Sequence, residues 1–372
     1  MKIAIVHDYI KEYGGAERVL EELVKVFPDA TIFTSLYCPE FLGPHKERFE
    51  QYNIKTSFFQ LIPFRHKLLS PLRLLSPFAF MSLDLSKFDV VIVSQTGAYF
   101  PNLVQNGAAR LICYTHTPPR YLYGYKTARE MKNPFVVGIA HFVFHFLRMV
   151  DFKASQNVDQ FISNSEEVQA RIKKFYRREA VVIYPPVDIS LNTSQTKKEN
   201  YYLAGGRLAR AKGIDIIVRA FAKSGKKLKI FGKGFAGFDE ELRALASNPT
   251  SPRLRGAGNI EFVGEVTDTE KMELMKDAKA YVFASYDEDF GITPVEAMSV
   301  GTPVIAYKSG GVKETIVDGV TGIFFDENTP ESLNDAIKKF ESSKINSTDC
   351  VKQAEQFSKE KFDKKIREIV EG

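Results

Sequence analysis

Along the first half of the chain, short unbroken apolar runs alternate with longer stretches in which apolar residues recur every three to four positions. The short runs, at residues 3–7, 31–35, 90–94, 109–114, 161–165 and 181–184, are rich in β-branched and aromatic side chains and predict strands. Their apolar character is continuous, which fits strands covered on both faces, so a parallel sheet between helices is expected.

At Y-P-P-V-D (residues 184–188) this rhythm stops, and the polar stretch S-L-N-T-S-Q-T-K-K-E-N follows. The scheme then restarts, with strands expected at 201–204, 228–231, 260–263, 280–284, 303–307 and 322–325. Amphipathic stretches such as T-E-K-M-E-L-M-K-D-A lie between several of them. The expectation is an α/β protein of two doubly wound, Rossmann-like domains in tandem, with ligands bound outside the carboxyl ends of the strands.

Composition narrows the class. With 372 residues, 44% hydrophobic and 26% charged, the chain is too long for one ordinary core and is of soluble globular type. Cys38, Cys113 and Cys350 are odd in number and widely spaced, which argues against a disulfide framework or zinc knuckle and for a reducing cytoplasm. The opening K-I-A-I-V-H-D-Y is short and carries Asp8, which suits a first buried strand better than a signal peptide.

The apolar run at 134–150 is shorter than the ~20 residues of a spanning helix and is interrupted by His141, His145 and Arg148. Net charge is only +5, yet residues 61–153 hold eleven basic residues, among them Lys126, Arg129 and Lys132, against four acidic ones. Within L-I-P-F-R-H-K-L-L-S-P-L-R-L-L-S-P-F (residues 61–78), Arg65, Lys67 and Arg73 stand among Leu and Phe. Two readings stand: core residues with a basic rim, or a surface that meets an anionic membrane. The local basic surplus and the 134–150 run favour the membrane.

Candidate chemistry gathers where strands end. Gly14 and Gly15 open a helix after the first strand, and free amides at a helix start suit a phosphate, although a plain tight turn reads the same way. The pair is not G-x-G-x-x-G, which counts against a dinucleotide oxidoreductase. In G-G-R-L-A-R-A-K-G, Arg207 and Lys212 frame the first strand-to-helix turn of the second half and are suited to a diphosphate, whereas Arg210 reads as surface.

Glu288 and Glu296 bracket a corner, E-D-F-G-I-T-P-V-E. Thr293, Pro294 and Glu296 fit the cap, first and third positions of a helix, a capping box. The same geometry aims the amides of Gly291, Ile292 and Thr293 at an anion, and Glu296 can accept hydrogen bonds from a ribose diol. Asp287 and Asp289 have a metal-type spacing but are common in loops, so no metal site is expected. His116, in Y-T-H-T-P-P-R-Y-L-Y, leaves a strand at its carboxyl end, where a catalytic group would sit. The run R-I-K-K-F-Y-R-R (residues 171–178) reads as a helix with a solvated face, and no nucleic-acid partner is expected.

Taken together these residues resemble glycosyltransferase family 4, the retaining sugar-nucleotide transferases of GT-B fold. The resemblance spans nearly the whole chain. It rests on the paired glutamates Glu288 and Glu296, on H-D-Y…G-G-A-E-R-V, H-T-P-P-R-Y-L-Y, I-S-N-S-E-E-V-Q-A-R-I and Y-P-P-V-D, and on F-G-K-G, F-V-G-E-V, G-T-P-V-I-A and G-G-V-K-E-T-I-V-D-G-V-T-G in order.

The resemblance implies an acceptor-binding domain at 1–188 plus 357–372, a donor-binding domain at 189–356, a deep cleft between them, and a last helix that crosses back to the first domain. It also implies that Glu296 holds the ribose, Glu288 and His116 the donor sugar, and Arg207 with Lys212 the diphosphate. The Gly14–Gly15 loop would close on the phosphate, with the amides of Gly291 to Thr293 completing the cradle.

No cofactor is implied beyond the sugar nucleotide that serves as donor. The start of the chain and H-T-P-P-R-Y look most like the mannosyltransferases of surface-polysaccharide assembly. These use GDP-mannose, and a lipid-linked glycan acceptor at the inner face of the cell membrane would explain the basic apolar segments of the first domain. Uridine and adenosine nucleotides stay open as donors. A sugar-nucleotide epimerase of the same fold and a non-catalytic nucleotide-sugar module are the alternatives of other kinds.

Overall fold

The structure is a computed structural model describing residues 1–125, 134–189, 198–234, 237–247 and 258–372. It forms two compact units, Met1–Pro186 with Lys359–Gly372, and Val187–Ser358.

The first unit is built on seven parallel strands: β1 (Ile3–His7), β2 (Thr31–Thr34), β3 (Ile54–Thr56), β4 (Val90–Gln95), β5 (Arg110–Thr115), β6 (Gln160–Ser163) and β7 (Ala180–Val182). Their order is β3-β2-β1-β4-β5-β6-β7. One face of the sheet buries Ile3, Ile5, Ile92 and Ile112 and the other buries Val6, Val91, Val93 and Leu111, which explains the continuous apolar runs. The edge strand β3 was not legible in the pattern: Ile54 and Thr56 are only partly buried, Lys55 is exposed, and the strand follows the polar Gln51 and Asn53.

The last helix, Lys359–Glu371, belongs to this unit. Phe362, Ile366 and Val370, spaced one turn apart, join the core beneath Ile3 and Ile5. Arg110 donates to the carbonyl of Ile369 at 2.9 Å and Arg367 to that of Val26 at 2.7 Å, fixing the C-terminal end of the helix.

The second unit holds β8 (Tyr202–Gly205), β9 (Leu228–Phe231), β10 (Ile260–Gly264), β11 (Tyr281–Phe283), β12 (Val304–Tyr307) and β13 (Gly322–Phe325), parallel in the order β10-β9-β8-β11-β12-β13. Its core packs Tyr202, Val282 and Ile305 against Ile217 and Phe221 of the helix Ile214–Ser224 and Leu333 and Ile337 of the helix Pro330–Ser342. Each sheet reverses its strand order once, between β1 and β4 and between β8 and β11. Crevices open beyond the carboxyl ends at such reversals.

The segment 61–78 folds into short helical turns that mix both sequence readings. Leu72 is buried, whereas Leu61, Phe64 and Phe78 are 85%, 71% and 60% exposed. Arg73 is not part of a free basic surface: its guanidinium lies 3.9 Å from the centre of the Tyr121 ring and donates to the carbonyl of Ala98. The apolar run at 134–150 lies in the helix Pro134–Gln156, which leaves Ile139, Phe142, Phe146 and Met149 exposed while Leu147 is buried. Lys126, Arg129 and Lys132 lie outside the described residues, as do residues 190–197 of the polar stretch. Among the described residues no helix is long and apolar enough to cross a membrane.

The helix Glu166–Tyr176 corrects one expectation. Lys173 and Lys174 are solvated, but Arg171 is buried, donating to the Thr117 hydroxyl at 3.3 Å and lying over the Tyr125 ring.

Candidate active site

Gly14, Gly15 and His116 belong to the first unit, and Arg207, Lys212, Glu288, Gly291, Ile292, Thr293 and Glu296 to the second.

In the second unit the chain leaves β8 at its carboxyl end, passes the exposed Arg207 and makes a tight turn over Arg210–Lys212. Arg210 is exposed and pairs with Glu241 at 2.6 Å. Gly213 then adopts φ +62°, and a Cβ there would lie 2.3 Å from the carbonyl oxygen of Ala284. Only glycine admits that approach, and it brings Lys212 against the loop leaving β11.

Lys212 Nζ reaches both carboxylate oxygens of Glu288, at 2.7 and 2.9 Å. The Ser285 hydroxyl donates to the same carboxylate. From the other side, Gly311 N–H donates to the Glu288 carbonyl at 2.8 Å. A Cβ on Gly310 would lie 2.1 Å from that carbonyl oxygen, so the Gly310–Gly311 pair lets the loop after β12 press on the backbone of Glu288. The glutamate is held by its side chain and its main chain together.

The helix after this loop starts earlier than the capping-box reading expects. It spans Ile292–Ser299, and its cap is Gly291 at φ +90°, without a side-chain cap. The left-handed glycine turns the chain into the helix two residues before Thr293, so Thr293 is the second helical residue and Pro294 the third. Proline costs nothing there, because the first turn has no internal acceptor for its N–H groups. The amides of Gly291, Ile292 and Thr293 are the ones the helix itself cannot satisfy.

Glu296 therefore sits in the second turn and is buried, and its Oε1 lies 2.7 Å from Lys271 Nζ. Lys271 comes from the helix Asp268–Asp277, whose own start carries a real capping box between Thr267 and Glu270. Close by, burial holds the Tyr281 phenol protonated, and its hydroxyl donates to the carbonyl of Gly205 at 2.8 Å, tying β11 to the turn after β8.

Beyond β9 and β10 lies a cavity of about 200 Å³. Ile230, Leu208 and Phe262 give it apolar walls, Gly232, Gly234 and Gly264 keep it open, and Lys233, Asp239, Arg243 and Glu265 stand around it. F-G-K-G and F-V-G-E-V thus meet at one slot.

In the first unit, Gly14 caps the helix Gly15–Val26, and its N–H donates to Glu17 at 2.9 Å. The expectation of free amides at this loop is corrected to that extent: Glu17, one turn in, takes the Gly14 amide. His116 follows β5. Its N–H donates to the carbonyl of Gln95 at 2.9 Å, and Asn164 donates to its carbonyl at 3.0 Å. Its side chain is buried, which pushes the imidazole down to about 3, with His7 close by acting in the same direction. The ring is neutral near neutral pH.

Around it stand residues to which motif reading gave no role. Ser94 Oγ lies 2.9 Å from His116 Nε2 and 3.0 Å from His7 Nδ1, and the register of β1 and β4 places His7 opposite Ser94. Asp8 is buried and its carboxyl is raised by desolvation, while Thr96 and the amides of Ala98 and Tyr99 donate to it. Lys271 and Ser285 were likewise missed. Ser285 carried a signal, since it leaves a strand three residues before Glu288; Lys271 carried none.

Among the described residues no three acidic, histidine or cysteine side chains converge as a metal cage would. Cys38, Cys113 and Cys350 are free and buried.

Residues 13–191 match the sequence pattern described as Glycosyltransferase Family 4, and residues 190–357 that of Glycosyl transferases group 1. The alpha-1,3/1,6-mannosyltransferase ALG2 of Dictyostelium discoideum is 23% identical over 97% of this chain and 94% of its own. The O-antigen chain mannosyltransferase RfbU of Salmonella typhimurium is 28% identical over 64% of this chain and 67% of its own. The uncharacterized glycosyltransferase MJ1178 of Methanocaldococcus jannaschii is 27% identical over 50% of each chain, and ALG2 of Kluyveromyces lactis is matched over 53% of its length. The chain thus spans about half the length of those last two relatives. Among solved structures, Anabaena HepE in complex with UDP, a GT-B protein, superposes with a TM-score of 0.72 over 100% of both chains at 19% identity.

Proposed function

Because the chain belongs to the glycosyltransferases, family 4 in its first half and group 1 in its second, we propose that it transfers an α-mannosyl group from GDP-mannose to a hydroxyl of a lipid-linked glycan, with retention of configuration. The observation that carries this is the corner at the strand reversal of the second unit. Glu288 is clamped by Lys212 and Ser285, Glu296 is buried one turn into the next helix, and three helix-start amides lie between them.

In this reading the slot beyond β9 and β10 takes the nucleobase, and Glu296, oriented by Lys271, accepts hydrogen bonds from the ribose diol. Arg207, Lys212 and the amides of Gly291, Ile292 and Thr293 bind the diphosphate. Glu288 orients the mannosyl ring, and the family reading assigns His116 to the same sugar and the Gly14–Gly15 loop to the phosphate.

The bond from the anomeric carbon to the phosphate oxygen breaks as the acceptor oxygen bonds to the same face of that carbon. The acceptor proton passes to the departing phosphate oxygen. Fixed cations and amides lower the barrier where negative charge develops. No resident metal is needed, since Lys212 and Arg207 supply the positive charge.

ALG2 and RfbU, both named mannosyltransferases, support mannose, and the UDP complex of HepE supports a nucleoside diphosphate. The UDP complex also keeps a UDP-sugar donor as the second reading. The exposed Phe64, Phe78, Phe142 and Phe146 near basic residues support peripheral contact with an anionic membrane at its cytoplasmic face, where a lipid-linked acceptor is presented.

The test is a transfer assay with GDP-mannose and lipid-linked saccharides in vesicles, following GDP release and the anomeric signal of the product. Formation of α-mannosyl product supports the reading. GDP-mannose turnover no faster than that of the Glu288→Ala protein overturns it.

A further inference from the structure

Behind His116 the first unit carries a buried line of polar side chains. Glu17, His7 and Ser94 are 6%, 0% and 0% exposed, and His116 ends the line at 8%. The contacts run in sequence. Glu17 Oε1 lies 3.6 Å from His7 Nε2, His7 Nδ1 lies 3.0 Å from Ser94 Oγ, and Ser94 Oγ lies 2.9 Å from His116 Nε2. Four segments contribute: the first turn of the helix Gly15–Val26, the ends of β1 and β4, and the residue after β5.

The chemistry of these groups gives the line a direction. At 3.6 Å the Glu17 carboxylate is beyond hydrogen-bond length of His7 Nε2, so it is its charge that favours the tautomer of His7 carrying its hydrogen on Nε2, leaving Nδ1 as an acceptor. Ser94 has one hydroxyl hydrogen. Donated to His7 Nδ1, it leaves only lone pairs facing His116, which must then present Nε2–H to them. His116 is neutral, because burial opposes its charged form, and so carries one N–H in all. With that hydrogen spent on Ser94, Nδ1 is left bearing a lone pair.

We infer that Glu17, His7 and Ser94 are positioning residues that fix His116 as its Nε2–H tautomer, so that Nδ1 accepts a hydrogen bond from a hydroxyl of the bound sugar. The inference rests on the reading of His116 as a sugar-contacting residue. It adds which nitrogen does the contacting, what sets it, and why a helix-capping glutamate faces inward. Glu17 serves two ends: Oε2 holds the Gly14 amide at 2.9 Å while Oε1 faces His7. The glycine loop and the histidine are thereby tied to one carboxylate.

The test reads the tautomer directly. The full chain is labelled with ¹⁵N-histidine, and long-range ¹H–¹⁵N correlations are recorded at neutral pH, with His116 assigned by its loss in His116→Gln. The expected pattern is a protonated Nε2 and an unprotonated Nδ1. Ser94→Ala is expected to mix the two tautomers, Ser94→Thr to restore the single one, and Glu17→Gln, which keeps an acceptor for Gly14, to shift the balance toward Nδ1–H. In transfer assays Ser94→Ala is expected to lower kcat about tenfold or more with KM for the donor changed less than about twofold, and Ser94→Thr to recover most of the loss.

A proton on Nδ1 in the wild-type protein, or an Nε2–H pattern untouched by Ser94→Ala, overturns the inference. If His116→Gln transfers sugar at the wild-type rate, it is the sugar-contact reading that falls, and the spectra still report on the line of contacts by themselves.

Discussion

Lys212 Nζ lies 2.7 Å from Glu288 Oε2 and 2.9 Å from Oε1, joining residues 76 positions apart across the carboxyl ends of β8 and β11. In the proposed donor site this cation serves the diphosphate and this carboxylate the adjoining sugar. Glu288→Gln keeps the shape and removes the charge. It is expected to lower kcat by about 10²–10³ with little change in donor KM, whereas Lys212→Met is expected to raise donor KM as well, as initial rates over a donor series would show.

The second glutamate depends on Lys271. Both side chains are nearly buried, at 10% and 7% exposure, so removing the ammonium takes the close cation away from a carboxylate held in low dielectric. Lys271→Met is expected to destabilise the second unit by about 3 kcal/mol in urea unfolding. Lys271→Met with Glu296→Gln is expected to recover much of that stability but not nucleotide binding.

A pH effect is expected from Asp151, which accepts from Tyr123 at 2.7 Å and Tyr176 at 3.3 Å. Burial pushes its carboxyl from 3.8 up to about 7. Between those values the folded chain keeps a proton that the unfolded chain has released. Its contribution to stability is therefore full below about pH 4 and is lost as pH rises through about 7. Asp151→Asn is expected to flatten Tm against pH in that window and to raise Tm relative to wild type near pH 8.

Membrane contact has its own test. Phe142 and Phe146 are 67% and 48% exposed on one face of the helix Pro134–Gln156. Phe142→Ser with Phe146→Ser is expected to reduce co-flotation with anionic vesicles several-fold, and Arg65→Glu with Lys67→Glu to do so most strongly at low salt. Unchanged flotation in both variants would remove the membrane from the proposal.

Much of the fold was legible because the central parallel strands, such as β1, β4 and β11, are buried on both faces and write apolar runs into the sequence. The edge strand β3 was not, since Ile54–Thr56 is short and half exposed. The corner at Glu288 and Glu296 was legible as a motif, but the start of its helix was not: Gly291 takes a left-handed conformation that lets the helix begin before Thr293. Lys271 and Glu296 lie 25 residues apart and meet only through helix packing. Likewise His7 and Ser94 lie opposite each other only because β1 and β4 are neighbours in register, which spacing along the chain does not encode.

The most direct measurement is calorimetric titration of the purified chain with GDP, UDP and ADP, repeated with Arg207→Ala, with Glu296→Ala and with EDTA. Binding of GDP at least about tenfold tighter than UDP or ADP, weakened by either substitution and indifferent to EDTA, is the expected result. Absence of binding by any of the three nucleotides, or binding untouched by both substitutions, would contradict the assignment of this corner as the donor site.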